Sequence, residues 1–245
     1  MSGQVGPKFI IIQDGLVVHL NTLFNKSYSG TGNIWYDLTR YNNNGTLAGT
    51  GIEYLDTPNK RLIINNNTFS NGISLIGNTY TYPTNFTWQI WHYYRDESQS
   101  FSGLFWSELA LGVNKNFLMA YQSVSTTTPY ARIDSGISSA DSTAINASIY
   151  NGGFNSTLVG RWEFTTIVKN GGTLSWYWGS SLKWSIYFGG GWVIGWPNQN
   201  LFIGNRNDFQ FPSKMDIASV FMYNKALSGD EIAYNYNNSK SRFGI

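Results

Sequence analysis

One stretch of this chain gathers the aromatic residues Trp176, Tyr177, Trp178, Trp184, Trp192 and Trp196. A flat aromatic face can hold a sugar ring, whose C–H groups meet the π-cloud while its hydroxyls keep their hydrogen bonds. At strand spacing Trp176 and Trp178 share one face, and the Gly-rich segment 189–195 would bring Trp192 and Trp196 beside them. Trp176, Trp178, Trp184, Trp192 and Trp196 are therefore the glycan-binding candidates. The competing reading is that these rings fill the core or an oligomer interface, where Trp and Tyr are also enriched.

Other chemistry is harder to assemble. Hydrolysis of a glycosidic bond needs two carboxylates roughly 5 to 9 Å apart, which on one strand asks for acids at period two in an E-x-D-x-x-E style, and no such run occurs. Asp96 and Glu97 are adjacent and would point to opposite sides of a strand, so they read as solvated loop acids. His19 and His92 lie in strand-like runs far from each other, with no H-E-x-x-H spacing, and read as satisfied, half-buried histidines. The runs Gly152-Gly153 and Gly189-Gly190-Gly191 lack the Lys-Ser/Thr that a phosphate cradle needs. Asp208, in Gly204-Asn205-Arg206-Asn207-Asp208, is a weak calcium candidate beside its ordinary reading as a surface acid. No other cofactor is expected, no catalytic residue is assigned, and the chain is expected not to be an enzyme.

Composition narrows the classes further. Hydrophobic residues make up 42% of the 245 and charged ones only 12%, which puts the chain far from the disordered regime. The 16 basic and 14 acidic residues are scattered, so nothing tracks a phosphate backbone, and nucleic acid is not an expected partner. The apolar run Phe9 to Ile12 is too short for a signal core or a membrane span. With no cysteine, disulfides, zinc ribbons and thiol nucleophiles are absent, and assembly in a reducing cytoplasm is the expectation. The Asn-x-Ser/Thr sequons, among them Asn44-Gly-Thr46 and Asn155-Ser-Thr157, read as Asn-rich loop composition.

The elements that must position these residues are strands. Period-two alternation bounded by Gly, Asn, Ser and Thr predicts strands at Leu16–Leu20, Phe86–Tyr94, Gly103–Trp106, Phe117–Tyr121, Trp162–Val168, Thr173–Trp178, Leu201–Ile203 and Ile217–Tyr223. Phe86–Tyr94 carries aromatic bulk on both faces and so belongs at the centre of a sheet. Asn170-Gly171-Gly172 should close a hairpin between Trp162–Val168 and Thr173–Trp178. Ser228-Gly229-Asp230-Glu231 spells a capping box for a short helix running to about Asn237, with Ile232 and Tyr236 on one side. The expected architecture is all-β, a two-sheet antiparallel jelly-roll sandwich with one short C-terminal helix. It spans 1–245 as a single domain, with an N-terminal arm at 1–13 and a C-terminal tail at 238–245.

Ile217-Ala218-Ser219-Val220-Phe221-Met222-Tyr223-Asn224-Lys225-Ala226-Leu227-Ser228, followed by Glu231-Ile232 and Asn235-Tyr236-Asn237, closely resembles the closing signature of laminin-G-like, concanavalin A-like jelly-roll domains. Gly15 to Leu20, Trp35 to Leu38, Asn42 to Leu47, Phe86 to Trp91 and Leu201 to Gly204 are similar to earlier strands and turns of that family. The likeness runs over about 14–237 and is loose between about 95 and 160, where an insertion or a rearranged edge is expected. The ending Asn235 to Gly244 resembles virion proteins of tailed phages and large viruses. The resemblance implies a non-enzymatic virion structural protein, such as a capsid decoration, head-fibre or tail-associated module. Its implied partners are other virion proteins, a host-surface glycan and further copies of itself, with no membrane insertion. Its implied place is the virion surface after assembly in a host cytoplasm, or alternatively an extracellular one. The second reading is a free carbohydrate-binding module or lectin, and the third, disfavoured by the missing carboxylate pair, is a glycoside hydrolase.

Overall fold

The computed structural model of the chain describes residues 10–65, 72–75, 84–95, 102–107, 117–123, 128–133, 145–147, 159–187, 201–204 and 214–245. In chain order the strands are β1 (Leu16–Asn21), β2 (Ile34–Trp35), β3 (Gly45–Ala48), β4 (Ile52–Leu55), β5 (Arg61–Ile64), β6 (Gly72–Leu75), β7 (Phe86–Tyr94) and β8 (Ser102–Ser107). There follow β9 (Phe117–Ser123), β10 (Thr128–Ile133), β11 (Ile145–Ala147), β12 (Trp162–Asn170), β13 (Thr173–Trp178), β14 (Ser181–Tyr187), β15 (Leu201–Ile203) and β16 (Met215–Tyr223). Helix α1 (Gly229–Ser239) and a short 3₁₀ turn (Lys240–Phe243) close the chain.

These strands form the two antiparallel sheets that the alternation predicts. The first has the order β14-β13-β12-β7-β16-β5-β4, with β1 also paired to β16; the second has the order β11-β10-β9-β8-β15-β6-β3-β2. Strand β16 needs two partners on one edge because it is long. Its Met215–Ile217 pairs with β5, its Ser219–Tyr223 with β1, and its opposite edge with β7. The loosely matched stretch after residue 95 supplies β8 to β11, a run of neighbouring strands ending at one edge of the second sheet. The parts of its Ser/Thr-rich sequence at 124–127 and 134–144 lie outside the described residues.

Strand β7 lies between β12 and β16 and buries both of its faces. Phe86, Trp88, Ile90 and Tyr94 face the second sheet and join Met215, Ile217, Val220, Met222, Ile73, Phe105 and Ile203 in the main core. The Trp88 and Phe105 rings meet there at 5.3 Å across the two layers. The opposite face of β7, where Trp91 projects, packs with Phe164, Phe221 and Tyr223 under Ile232 of α1 and Phe243. A free sheet face that carried this much aromatic surface would be a liability in water; the C-terminal segment covers it.

Side-chain hydrogen bonds fix that cover. The capping box is formed, with Glu231 N–H donating to Ser228 Oγ and Ser228 N–H donating to Glu231 Oε2. One face of α1 places Asn235 and Ser239 four residues apart, in line with each other. Asn235 Nδ2 donates to Gln89 Oε1 and to the Tyr223 hydroxyl, and its Oδ1 accepts from the Ile12 N–H. Ser239 Oγ accepts from the Trp91 indole at 2.9 Å. The tail docks rather than frays. Arg242 donates to Asn21 Oδ1, Thr22 Oγ1 and the Lys60 carbonyl, where β1 and β5 meet along β16. The described end of the N-terminal arm docks as well, with Ile11 buried.

Candidate functional site

Trp176 and Trp178 share a face, as their spacing predicts, and it is the inner face. Their register partners on β12 are Ile167 and Thr165, which look toward the second sheet. Trp176 has no exposed surface and Trp178 only 7%, so both rings are taken up by the core. Trp184 pairs with Trp176 through the backbone of β14; its side chain, Trp192, Trp196 and the calcium candidate Asp208 lie outside the described residues. Asp96 and Glu97 lie outside them too. His92 is buried in the core with Nε2 2.8 Å from Thr165 Oγ1, and His19 touches the Phe221 ring on the outer face. Among the described residues no three His, Cys, Asp or Glu side chains converge as metal ligands.

A different set of residues does converge on the outer face of the first sheet. The strand register aligns Trp162 with Tyr93, Tyr93 with Asp216, Asp216 with Ile63 and Ile63 with Glu53, a row that crosses five strands. Alternation puts these side chains on the Trp91 side. The C-terminal cover reaches the Trp162 end of this row. Phe243 stacks against Trp91 at 4.3 Å and Trp162 at 4.4 Å, and beyond it opens a groove of about 480 Å³. Tyr93, Trp162, Asp216, Arg61 and Arg95 line it together with Pro58 and Asn59.

The groove is organised by charge. Asp216 is 2% exposed, and burying a carboxylate without partners would be costly. It has three donors: Arg61 Nε at 2.7 Å, Arg95 Nε at 2.5 Å and Arg95 Nη2 at 3.0 Å. Arg61 Nη1 also donates to the Asn59 carbonyl at 3.0 Å. The hydrogen bond to Asp216 holds the Arg95 guanidinium above its ordinary range, so it stays charged at any working pH. The Tyr93 and Trp162 rings stand 5.7 Å apart at 56°, giving the groove two half-buried aromatic surfaces.

Such a site can bind and orient: the one acid lining the groove among the described residues, Asp216, is taken up by its arginines, and Glu53 stands further along the same row. The neighbouring Glu163 faces the opposite side of β12 in register with His92, and pairs with Arg161 at 3.4 Å. Burial pushes its carboxyl up to about 7. Sequence reasoning missed the groove. Tyr93 and Trp162 stood in predicted strands, but nothing local to Arg61, Arg95 or Asp216 signals that 121 and 155 residues of separation close into hydrogen bonds.

No protein-family model and no characterised protein matches the chain by sequence. Solved structures do match it in fold. The binding domain of botulinum neurotoxin serotype D aligns at a TM-score of 0.61 and 14% identity, over 92% of this chain and 51% of that one. A botulinum neurotoxin type C structure, described as showing cell entry dependent upon interaction with two ganglioside molecules, aligns at 0.63 and 13%, over 91% and 51%. The binding domain of neurotoxin DC in complex with rat synaptotagmin II aligns at 0.61 and 12%, also over 91% and 51%. The chain thus spans about half the length of the structures it resembles, and the likeness is one of fold.

Proposed function

We propose that this chain is a non-enzymatic recognition domain that binds carbohydrate on a cell surface through the Tyr93–Trp162–Arg95 groove. The observation that carries the reading is the combination in that groove: two aromatic surfaces beside guanidinium donors fixed by a buried carboxylate. Neighbours in fold whose descriptions name ganglioside molecules and rat synaptotagmin II support it as analogy. Trp184, Trp192 and Trp196 belong to the proposal as a second set of sugar-stacking residues, and Asp208 as a calcium ligand.

The deployment we propose is a virus particle, as a decoration, head-fibre or tail-associated module held by other virion proteins or by copies of itself. It would be assembled in the host cytoplasm and displayed on the virion surface. Its support is the closing motif Asn235 to Gly244 and a fold held without any cysteine. A free lectin is the second reading, favoured by the same groove.

A glycan array probed with the wild-type chain and with Trp162→Ala is the direct test. Saturable binding that the substitution abolishes supports the site, and an empty array removes the glycan reading. Sugar release from a polysaccharide panel would contradict the non-enzymatic assignment. Genes for capsid, portal or tail proteins beside this one, or antibody labelling of particles, would support the virion placement; their absence would leave the free lectin.

A further inference from the structure

We infer that the groove takes a carboxylated sugar, a sialic or uronic acid, whose carboxylate is read by Arg95 while its ring lies against Trp162. This rests on the glycan-binding reading and narrows its ligand class. The argument is one of donors and acceptors. Sites for neutral sugars normally offer both, because each hydroxyl donates as well as accepts. Here the groove's carboxylate is unavailable, since both Asp216 oxygens accept from arginines and its side chain is only 3% exposed. What remains, beside the Tyr93 hydroxyl and the Asn59 amide, is guanidinium donor capacity. Arg61 spends Nε and Nη1, and Arg95 spends Nε and Nη2, so Arg61 Nη2 and Arg95 Nη1 are not engaged by Asp216 or Asn59.

Accessibility separates the two arginines. The Arg95 side chain is 34% exposed and the Arg61 side chain 14%, which makes Arg95 the contact and Arg61 its support. Two guanidiniums against one carboxylate leave a unit of positive charge beside the aromatic pair. Guanidinium–carboxylate pairing is the strong, directional contact for such a ligand. Glu53 stands in the same strand row and partly offsets that charge, so affinity for a single sugar should be modest. Phe243 backs Trp162 at 4.4 Å, which holds the ring as a platform.

The test measures binding of 3′-sialyllactose, lactose, glucuronic acid and glucuronic acid methyl ester to the full chain by ligand-observed NMR. The expected result is that each acid binds at least tenfold more tightly than its uncharged counterpart. Arg95→Gln should erase that preference, and Trp162→Ala should abolish binding. Thermal melting checks that both variants fold, and Arg95→Lys, which keeps the charge but not the fork, should recover only part of the preference. Equal binding of acid and neutral sugar, lost in Trp162→Ala but kept in Arg95→Gln, overturns the acidic class and leaves the groove a glycan site. Acid binding untouched by both substitutions places the site elsewhere and overturns the inference. Binding of no glycan at all, here or on the array, removes the underlying reading and the inference with it.

Discussion

At the scale of single residues the molecule contains two acids in unlike surroundings. Asp216 accepts from both Arg61 and Arg95, and replacing it with an amide would leave two guanidiniums facing each other around a buried neutral group. Breaking a buried ion pair from one side costs about 3 kcal/mol or more, so Asp216→Asn should lower the denaturation midpoint accordingly, with little change in the slope. Glu163 is the opposite case. Burial lifts its carboxyl from the ordinary 4.5 to about 7, so the folded chain keeps a proton that the unfolded chain has already lost. That contribution is fully present below pH 4.5 and disappears as pH rises through 7, a loss of roughly 3 kcal/mol. Glu163→Gln has no proton to lose. Its melting temperature relative to wild type should therefore climb between pH 4.5 and pH 7.5, and a flat difference would show that Glu163 is solvated in the fold.

At the scale of elements the C-terminal segment decides whether the first sheet has a wet or a dry outer face. Asn235 satisfies three partners on three different segments, and truncating it strands the buried Gln89 carbonyl and leaves the partly buried Ile12 amide without its acceptor. Each lost partner costs about 1 to 3 kcal/mol, so Asn235→Ala should cost about 2 kcal/mol or more, measured by urea unfolding. Deleting 240–245 removes both the Arg242 bonds at the β1–β5 junction and the Phe243 ring on Trp91 and Trp162. The deletion should lower the melting temperature by several degrees and shift tryptophan emission to the red, as Trp91 and Trp162 meet water. It should also unmake the backing of the proposed groove. Gly204 shows the same closeness at an inner position. Its φ is +78° and a Cβ there would sit 2.5 Å from Ile64 Cδ1, so the strand β15 can turn here only without a side chain.

At the scale of the whole molecule, the two histidines set an acid limit. Burial lowers His19 to about 4 and His92 to about 3, so the fold holds both neutral while an unfolded chain takes up protons below 6.5. Their contribution is present above pH 6.5 and lost as pH falls toward 3. Between 4.5 and 6.5 two histidines oppose the single Glu163, and above 6.5 only Glu163 is left, so melting temperature against pH should peak near 6.5. A curve that rises steadily toward pH 4 would contradict this balance. Much of the architecture behind these numbers was legible from local pattern. The two-faced strand β7, the β12–β13 hairpin with its Asn-Gly-Gly turn and the Ser228–Glu231 capping box all depend on neighbours within a few positions, where side-chain alternation and turn chemistry are decided. Strands β2 to β6, β10, β11 and β14 were not read, most of them being too short to carry clear periodicity. The site was not read either. The aromatic pattern drew the eye to Trp176 and Trp178, since spacing tells that two rings share a face but not which face meets the other sheet. Arg61, Arg95 and Asp216 became a site only when β5, β7 and β16 were laid side by side, because charge pairing across such separations follows from strand order and register, and these belong to the folded chain alone.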